Sequence, residues 1–240
     1  MNEDFWLSRT ELLIGKNNIE KLRSSHVLIA GLGGVGSFAA EAICRAGVGE
    51  ITLVDNDTVA HSNINRQLPA LNSTVGKTKI SVMVERLKDI HPDIVLHTKE
   101  IYLKDESIPE ILKDEFDFVI DAIDTLSPKI FFIKNCVENR FPLVSSMGAG
   151  GRLDPTKINI ADIADSHSCP FARVVRKKLH GWNIRSGFQV VFSSETVVED
   201  SVVVTDNSPN KKSTVGTISY MPAIFGLMTA SVAIRGIIGK

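Results

Sequence analysis

Short runs of β-branched and other apolar residues alternate along the chain with longer amphipathic segments. This alternation is typical of strand–helix–strand units and predicts a parallel sheet. The runs predicted as strands are His26 to Ala30, Ile51 to Val54, Asp93 to Thr98, Phe116 to Ala122 and Pro142 to Ser146. We therefore predict an α/β protein built on a doubly wound, mainly parallel sheet.

The segments between these runs predict helices that begin at Val35, near Lys77 and at Ser127. Another helix, over residues 10–25, is predicted before the first strand. After Ser146 the pattern changes, and we predict one domain over residues 1–240 with an elaborated second half. That half is predicted to contain a glycine-rich turn (147–157), a strand (158–163), a basic helix (171–180), a polar loop (205–214) and an apolar helix (222–234).

Composition narrows the class of protein. A formal net charge of -1 indicates no general affinity for polyanions, so such a partner would need a local basic patch. The 3 cysteines form no CxxC pair, which argues against a disulfide framework or a structural zinc site. The N-terminus lacks the pattern of a signal peptide, and the apolar stretch at 222–234 is shorter than the about 20 residues that a bilayer needs. We expect a cytoplasmic protein without a membrane anchor, whose apolar stretch packs in the core or in a dimer seam.

A glycine-rich loop follows the first predicted strand. Its glycines allow a tight turn and let phosphate oxygens reach the N–H groups at the start of a helix. Asp55, about 20 residues further on, is placed to accept hydrogen bonds from ribose hydroxyls. The pattern predicts a Rossmann-like nucleotide site, the alternative being glycines required only for helix–strand packing. The loop glycines are Gly31, Gly33, Gly34 and Gly36.

Polar residues after Asp55 favour ATP over NAD. Arg66 and Lys79 carry charges suited to phosphates, and Asn63 and Asn65 carry amides suited to ribose or phosphate. Asp124 follows the fourth predicted strand, at the sheet edge where ligands bind, and is a candidate Mg²⁺ ligand. Taken singly, each has a simpler explanation: a surface arginine, a solvated lysine, a helix N-cap aspartate.

The ordered motifs GxGGxG, DxDxV, SNxNRQ, VGxxK and DAxD resemble the ubiquitin-activating-enzyme-like adenylyltransferases over roughly residues 9–150. The resemblance implies that residues 1–150 form the nucleotide-binding core, in which Asp55 and Asp57 belong to the ATP site. It implies that Arg66 and Lys79 bind phosphates and that Asp124 binds Mg²⁺. It also implies a homodimer in which Arg9 reaches the partner subunit's ATP, although Arg9 read alone is an exposed N-terminal arginine.

A more specific resemblance covers nearly the whole chain. IAGLGGVGSFAAEAICRAGVGE, SMGAGGRLDPTKI and FSSE look like the tRNA threonylcarbamoyladenosine dehydratase branch, with one residue type different at the start. It implies ATP-dependent cyclisation of the modified adenosine through an acyl-adenylate, with residues 151–240 serving substrate binding and dimerisation. The branch is also associated with a monovalent cation (K⁺ or Na⁺), whose ligands the sequence does not identify, and a sulfur-handling protein is a further possible partner. The open alternatives are an activator of a ubiquitin-like sulfur carrier and a non-catalytic or NAD-binding protein.

A tRNA partner would require basic residues. In the predicted basic helix, charged residues recur at helical spacing, and two lysines add charge in the polar loop; the alternative is a solvated helix face. Cys169 is the one cysteine suited to a thioester role, but an incidental buried thiol fits it better. The residues predicted to contact tRNA are Arg173, Arg176, Lys177, Lys211 and Lys212, with His180 on the same helix face.

Overall fold

Seven strands form one central sheet in the computed structural model, which describes residues 5–104, 106–204 and 213–240. They are β1 (His26–Ala30), β2 (Glu50–Val54), β3 (Val95–Lys99), β4 (Phe118–Asp121), β5 (Leu143–Ser146), β6 (Ile158–Asp162) and β7 (Gln189–Ser193). The strand order is β3-β2-β1-β4-β5-β7-β6, and each pair is parallel except β6 with β7. The predicted α/β fold with a mainly parallel sheet is confirmed.

Helices cover both faces of this sheet, which makes the fold doubly wound. The α-helices are α1 (Ser8–Ile14), α2 (Lys16–Arg23), α3 (Gly36–Arg45), α4 (Lys79–Ile90), α5 (Ile108–Ile111), α6 (Leu126–Glu138), α7 (Pro170–His180) and α8 (Tyr220–Ile238). One apolar cluster joins the sheet to α2, α3, α4 and α8, and a second joins it to α5, α6 and α7.

Some predicted elements differ from the observed ones. The single N-terminal helix is wrong: α1 and α2 are separated by Gly15, whose φ of 84° no helix accommodates. Helix α4 begins two residues later than predicted because Thr78 caps it, its hydroxyl accepting the Ser81 N–H. Strand β7 and the antiparallel pair β8 (Val202–Val204) and β9 (Ser213–Val215) were not predicted. Most of the predicted polar loop, including Lys211 and Lys212, lies outside the described residues.

Helix α8 is longer than the predicted apolar helix. With 19 residues and a mean hydropathy of 1.6, it is long and apolar enough to cross a membrane. However, 50% of its apolar 18-residue stretch is buried inside the fold. It packs on α3 and on β4, β5 and β7. Gly226 permits the close approach, since a Cβ there would overlap the carbonyl oxygen of Val35. Such burial is typical of a core helix, as predicted.

Candidate functional site

The candidate site lies where the strand order reverses, between the carboxyl ends of β1 and β4. In open α/β sheets, ligands bind in the crevice at this switch point. The glycine loop leaves β1 here, and two of its glycines are required by geometry. Gly31 has a φ of 92° and faces the Ala122 carbonyl after β4, while a Cβ on Gly36 would overlap the carbonyl oxygen of Gly31. Helix α3 therefore starts tightly against the loop, with its N-terminus directed to the crevice.

Asp55 fixes the shape of this loop. Its Oδ2 accepts the Leu32 N–H at 2.6 Å and its Oδ1 accepts the Asp57 N–H at 2.7 Å. Burial is the largest influence on this carboxyl and raises its pKa, while Lys79 and the two N–H donors oppose that shift. Asp55 thus joins the end of β2 to the glycine loop, and each oxygen keeps a lone pair that can accept a ribose hydroxyl.

Two of the predicted phosphate and nucleotide residues form an ion pair. Lys79 is only 4% exposed, and its Nζ lies 2.7 Å from the Asp57 carboxylate. The Lys79 N–H also donates to the Asp57 carbonyl at 3.0 Å. A lysine held in this way at the start of α4 is positioned before any ligand binds, and the contact joins the VGxxK segment to the DxDxV segment in this chain.

Arg66 and the two asparagines have local partners. The Arg66 guanidinium donates to the Ser62 carbonyl and to the Asn65 side chain, both at 2.8 Å. Asn65 donates in turn to the Thr217 carbonyl at 2.9 Å, which connects the two halves of the chain. Asn63 accepts the Ala60 N–H at 3.0 Å and so caps its own turn. The structure brings these residues to one segment beside the loop, but their contacts with a nucleotide stay predictions.

Gln67 is a site residue that the sequence reasoning missed. Its Oε1 is buried and has no hydrogen-bond partner among the described residues. Leaving such an atom unpaired costs about 1–3 kcal/mol, so a water or a bound group is expected to pair with it. The Gln67 side chain faces Gly33, because a Cβ built on that glycine would lie 3.8 Å from Nε2. The signal was available, since Gln67 closes the SNxNRQ motif.

A buried ion pair beneath the other side of the crevice was also missed. Lys129 and Asp121 are fully buried, with Nζ and Oδ2 2.7 Å apart. The same carboxylate oxygen accepts the Ser145 hydroxyl at 2.6 Å, and Lys129 also donates to the Ile123 carbonyl at 3.0 Å. Burial lowers the pKa of Lys129, and the Asp121 carboxylate opposes that shift. The pair holds the segment that leads from β4 to Asp124.

Asp124 is exposed at the end of that segment. The alternative interpretation, that Asp124 is the N-cap of α6, is wrong, because the N-cap is Thr125 and α6 begins at Leu126. Its charge acts on the nearby Lys129 ammonium. An exposed carboxylate at the carboxyl end of β4 fits the chemistry of a Mg²⁺ ligand that binds partly through water.

An open cleft of about 540 Å³ adjoins the segment that carries Asn65 and Arg66. Asn65 lines one side, the turn Gly151–Leu153 another, and Gly216–Ser219 a third. The turn is held by Glu195 of the FSSE segment, whose carboxylate accepts the Leu153 N–H at 3.1 Å and the next N–H at 2.8 Å. Tyr220 also donates to the Leu153 carbonyl, at 2.8 Å. Of the segments that resemble the dehydratase branch, the glycine-rich turn therefore lines the cleft, and FSSE holds that turn in place through Glu195.

Arg152 lies beneath this turn and is 4% exposed. Its guanidinium donates to the Gly148 and Glu195 carbonyls and approaches the Cys169 sulfur at 3.4 Å. Cys169 itself is 4% exposed. The thiol thus occupies a closed position against a structural arginine, which favours the interpretation of Cys169 as a buried thiol over a thioester role.

The predicted basic helix is α7, which begins at Pro170. Its exposed residues include Arg173, Lys177 and His180. Lys178 is exposed as well, although the sequence did not predict it to contact tRNA. Arg176 differs, because it is partly buried and donates to the carbonyl and hydroxyl of Ser166. The helix thus presents a basic face to solvent. Arg176, which was predicted to belong to it, instead binds Ser166 within the fold.

Arg9 is exposed on α1. Leu12 and Leu13 on the same helix are 89% and 81% exposed. Arg9 stays a candidate for the partner subunit's site, and the exposed leucines beside it are of the kind that a subunit contact covers.

Comparison with known proteins places these features in context. The chain matches the ThiF family over residues 7–240. It is 43% identical over 228 residues to tRNA threonylcarbamoyladenosine dehydratase of Bacillus subtilis (strain 168), an alignment that covers 92% of this chain and 90% of that protein. The fold matches the crystal structure of E. coli tRNA N6-threonylcarbamoyladenosine dehydratase, TcdA, in complex with ATP, with a TM-score of 0.90, 32% identity and coverage of 98% and 95%. The AMP complex of the same E. coli protein matches with a TM-score of 0.87 and 33% identity, covering 96% and 93%. The resemblances indicated by the motifs are confirmed.

Proposed function

The chain belongs to the ThiF family, and on that premise we propose that it is an ATP-dependent tRNA threonylcarbamoyladenosine dehydratase. Its substrate is N6-threonylcarbamoyladenosine at position 37 of tRNA, next to the anticodon. The threonine carboxylate attacks the α-phosphorus of ATP and pyrophosphate leaves, which gives an acyl-adenylate. A nitrogen of the same modification then attacks the activated carbonyl and expels AMP, so the ring closes with the net loss of one water.

The observation that carries this proposal is the cleft lined by Asn65, which lies next to Arg66 in the segment proposed to bind the phosphates. An acyl-adenylate forms only where a carboxylate is held next to the α-phosphate, and such positioning supplies much of the rate. Asn65 links the proposed phosphate-binding segment to the cleft, because it lies next to Arg66, lines the cleft and donates to the Thr217 carbonyl. A modified nucleoside bound in the cleft would therefore lie next to the segment proposed to hold the phosphates of ATP.

ATP would be held by groups that the fold already positions. The loop N–H groups at the start of α3 suit phosphate oxygens, and Asp55 suits the ribose. Lys79 and Arg66 supply positive charge, and Gln67 offers its unpaired oxygen to the ligand or to a water on it. Asp124 would hold Mg²⁺, which neutralises charge on the triphosphate.

An internal nucleophile makes a cysteine intermediate unnecessary. This agrees with the closed position of Cys169 against Arg152. The enzyme's own task is then to orient the substrate and to stabilise charge at the α-phosphate, as in other adenylate-forming sites.

Around this core we propose a tRNA surface on α7 and a cytoplasmic homodimer. The exposed Arg173, Lys177 and Lys178 would contact phosphates near the modified base. Arg9 would reach the partner subunit's ATP, with Leu12 and Leu13 covered in the dimer. A monovalent cation and a sulfur-handling partner protein stay predictions of the resemblance.

Mass analysis of nucleosides tests the proposal directly. Conversion of the linear to the cyclic modification is followed in tRNA that carries threonylcarbamoyladenosine, incubated with the full chain, ATP and Mg²⁺. We expect a product lighter by one water, one AMP for each ring closed, and no product without ATP. Calorimetric titration should show ATP·Mg²⁺ binding and negligible NAD binding. Unchanged tRNA, together with adenylation of a sulfur-carrier C-terminus, would replace the proposal with the carrier-activating alternative.

A further inference from the structure

Three side chains with metal-binding atoms lie together on neighbouring strands, away from the nucleotide loop. His26 begins β1, Glu50 begins β2, and His97 lies within β3. His26 is paired in register with Glu50, and His97 with Thr52. Residues in register in a parallel sheet, and residues two apart on one strand, point to the same face. The three side chains therefore share one face, and their ligand atoms all lie within 4.8 Å of one another.

The spacing of these atoms suits a small transition-metal ion. Oε1 of Glu50 lies 2.7 Å from Nε2 of His97 and 3.5 Å from Nδ1 of His26. A tetrahedral ion with bonds of about 2.0–2.2 Å separates its ligand atoms by roughly 3.4 Å. The contact between Glu50 and His97 has to lengthen by about 0.7 Å to match this spacing, and their side chains, 39% and 49% exposed, have room for such a movement.

The chemistry of the donor set narrows the ion. Two imidazole nitrogens and one carboxylate oxygen form the His₂Glu set that holds zinc with a water in the fourth position. Magnesium and calcium prefer sites made only of oxygen ligands. The exposed sides of Glu50 and His97 leave a path for the ion and room for that water.

His26 is oriented as a metal-binding histidine is. Its second ring nitrogen, Nε2, lies 2.8 Å from the hydroxyl of Thr52, which is 1% exposed and fixed in β2. Metal-bound histidines almost always donate a hydrogen bond from the other ring nitrogen, usually to a carboxylate, a backbone carbonyl or a water, and here the Thr52 hydroxyl takes that place. The ring also packs edge-on against Phe116, with centroids 4.6 Å apart. Nδ1 is thereby directed at Glu50.

The geometry points to a zinc-class divalent metal site formed by His26, Glu50 and His97, which clamps the edge strand β3 to β2 and β1. The absence of CxxC pairs argues only against a zinc ion held by cysteines, and this site uses none. Strand β3 is the last in the sheet and its side chains are largely exposed, so apolar packing holds it weakly. The site lies at the amino ends of β1 and β2, whereas Gly31 and Asp55 follow their carboxyl ends. At about 3.3 Å per residue the two sites are more than 10 Å apart, so metal here is independent of ATP chemistry.

Cobalt(II) is the probe, because its visible absorption reports tetrahedral coordination. The full chain, stripped with a chelator, is titrated with CoCl₂ and then with ZnCl₂ as competitor. We expect one equivalent of Co²⁺ to give tetrahedral bands that Zn²⁺ removes. His97→Ala should weaken binding at least tenfold, and Glu50→Gln should do the same with little change of shape. Thr52→Val, which removes only the supporting hydroxyl, should weaken binding about 10–100-fold.

His180→Ala, an exposed histidine on α7, is the matched control and should bind Co²⁺ like the wild type. A second measurement follows the melting temperature, which Zn²⁺ should raise in the wild type and in His180→Ala but not in His97→Ala. Absence of Co²⁺ bands and of any Zn²⁺-dependent shift in the wild type would overturn the proposal. So would bands that persist at full strength in both His97→Ala and Glu50→Gln, because the ion would then bind elsewhere.

Discussion

The buried pair of Lys129 and Asp121 provides a sharp test of how the floor of the crevice is built. Lys129→Met removes the ammonium and keeps a side chain of similar length. The Asp121 carboxylate is then left fully buried without its 2.7 Å ion-pair partner, while the Ser145 hydroxyl and the Ile123 N–H remain as donors. Two neutral donors do not compensate a buried charge, so the variant should be strongly destabilised.

The expected loss follows from the burial of both partners. Removing one member of a buried ion pair costs about 3–5 kcal/mol. In a protein of this length, 1 kcal/mol shifts the melting temperature by about 2–4 °C, so Lys129→Met should melt roughly 6–20 °C lower. Lys113→Met is the matched control: its partner is Glu110, both side chains are well exposed, and such pairs contribute about 0–1 kcal/mol.

Denaturant unfolding and calorimetry on the two variants measure this difference. The double variant Lys129→Met with Asp121→Asn should recover part of the loss, because a neutral amide still accepts the neighbouring donors and no charge is left unpaired. A cost for Lys129→Met no larger than that of Lys113→Met would refute the reasoning. Full loss in the double variant would refute it as well, because packing rather than charge would then be responsible.

The other predictions concern catalysis and tRNA. Asp124→Ala should lower the rate of pyrophosphate release about 10²–10³-fold while the fold is retained, and near wild-type turnover would contradict a role in holding Mg²⁺. Lys79→Met should weaken ATP binding measured by calorimetry, and equal affinity would contradict a phosphate contact. Cys169→Ser should keep activity within a few-fold, whereas a dead but folded variant or a trapped thioester would contradict the internal nucleophile. Charge reversal of Arg173 and Lys177 should weaken tRNA binding and lower its salt slope by about 2, with ATP affinity unchanged; an unaltered slope would leave α7 as a solvated helix.

Much of the fold could be predicted because its signals are local. Strand β1 runs over the predicted residues, and the glycine loop that follows it lies between a strand and a helix as its pattern requires. Strand β7 went unpredicted although QVVFS is apolar, because its place between β5 and β6 depends on long-range pairing. The break at Gly15 went unpredicted because a glycine within an amphipathic pattern does not show its φ.

The sequence predicted most of the residues of the candidate site that belong to a motif. It did not predict contacts, such as those of Lys129 and Arg176, that depend on which side chains the fold buries together. Lys129 follows Pro128 in what reads as the first turn of a helix, and only the fold shows that its ammonium reaches the carboxylate of β4. Arg176 shares the helical spacing of Arg173 and Lys177, but it borders the buried stripe of α7 and turns inward to Ser166. Helical spacing predicts the face of the helix on which a side chain lies. It does not predict which other parts of the chain pack against that face.

The two halves of the chain are joined where the proposed reaction occurs. The Asn65 amide binds the Thr217 carbonyl, and Glu195 holds the turn at Leu153 that faces it across the cleft. Neither half alone forms the cleft, since its lining comes from both. The adenylate would therefore be formed and consumed at the same junction, without a carrier thiol to move it. A site arranged in this way suits a substrate that carries both its carboxylate and its nucleophile, and this is the chemical reason why a closed Cys169 and a ThiF fold are compatible.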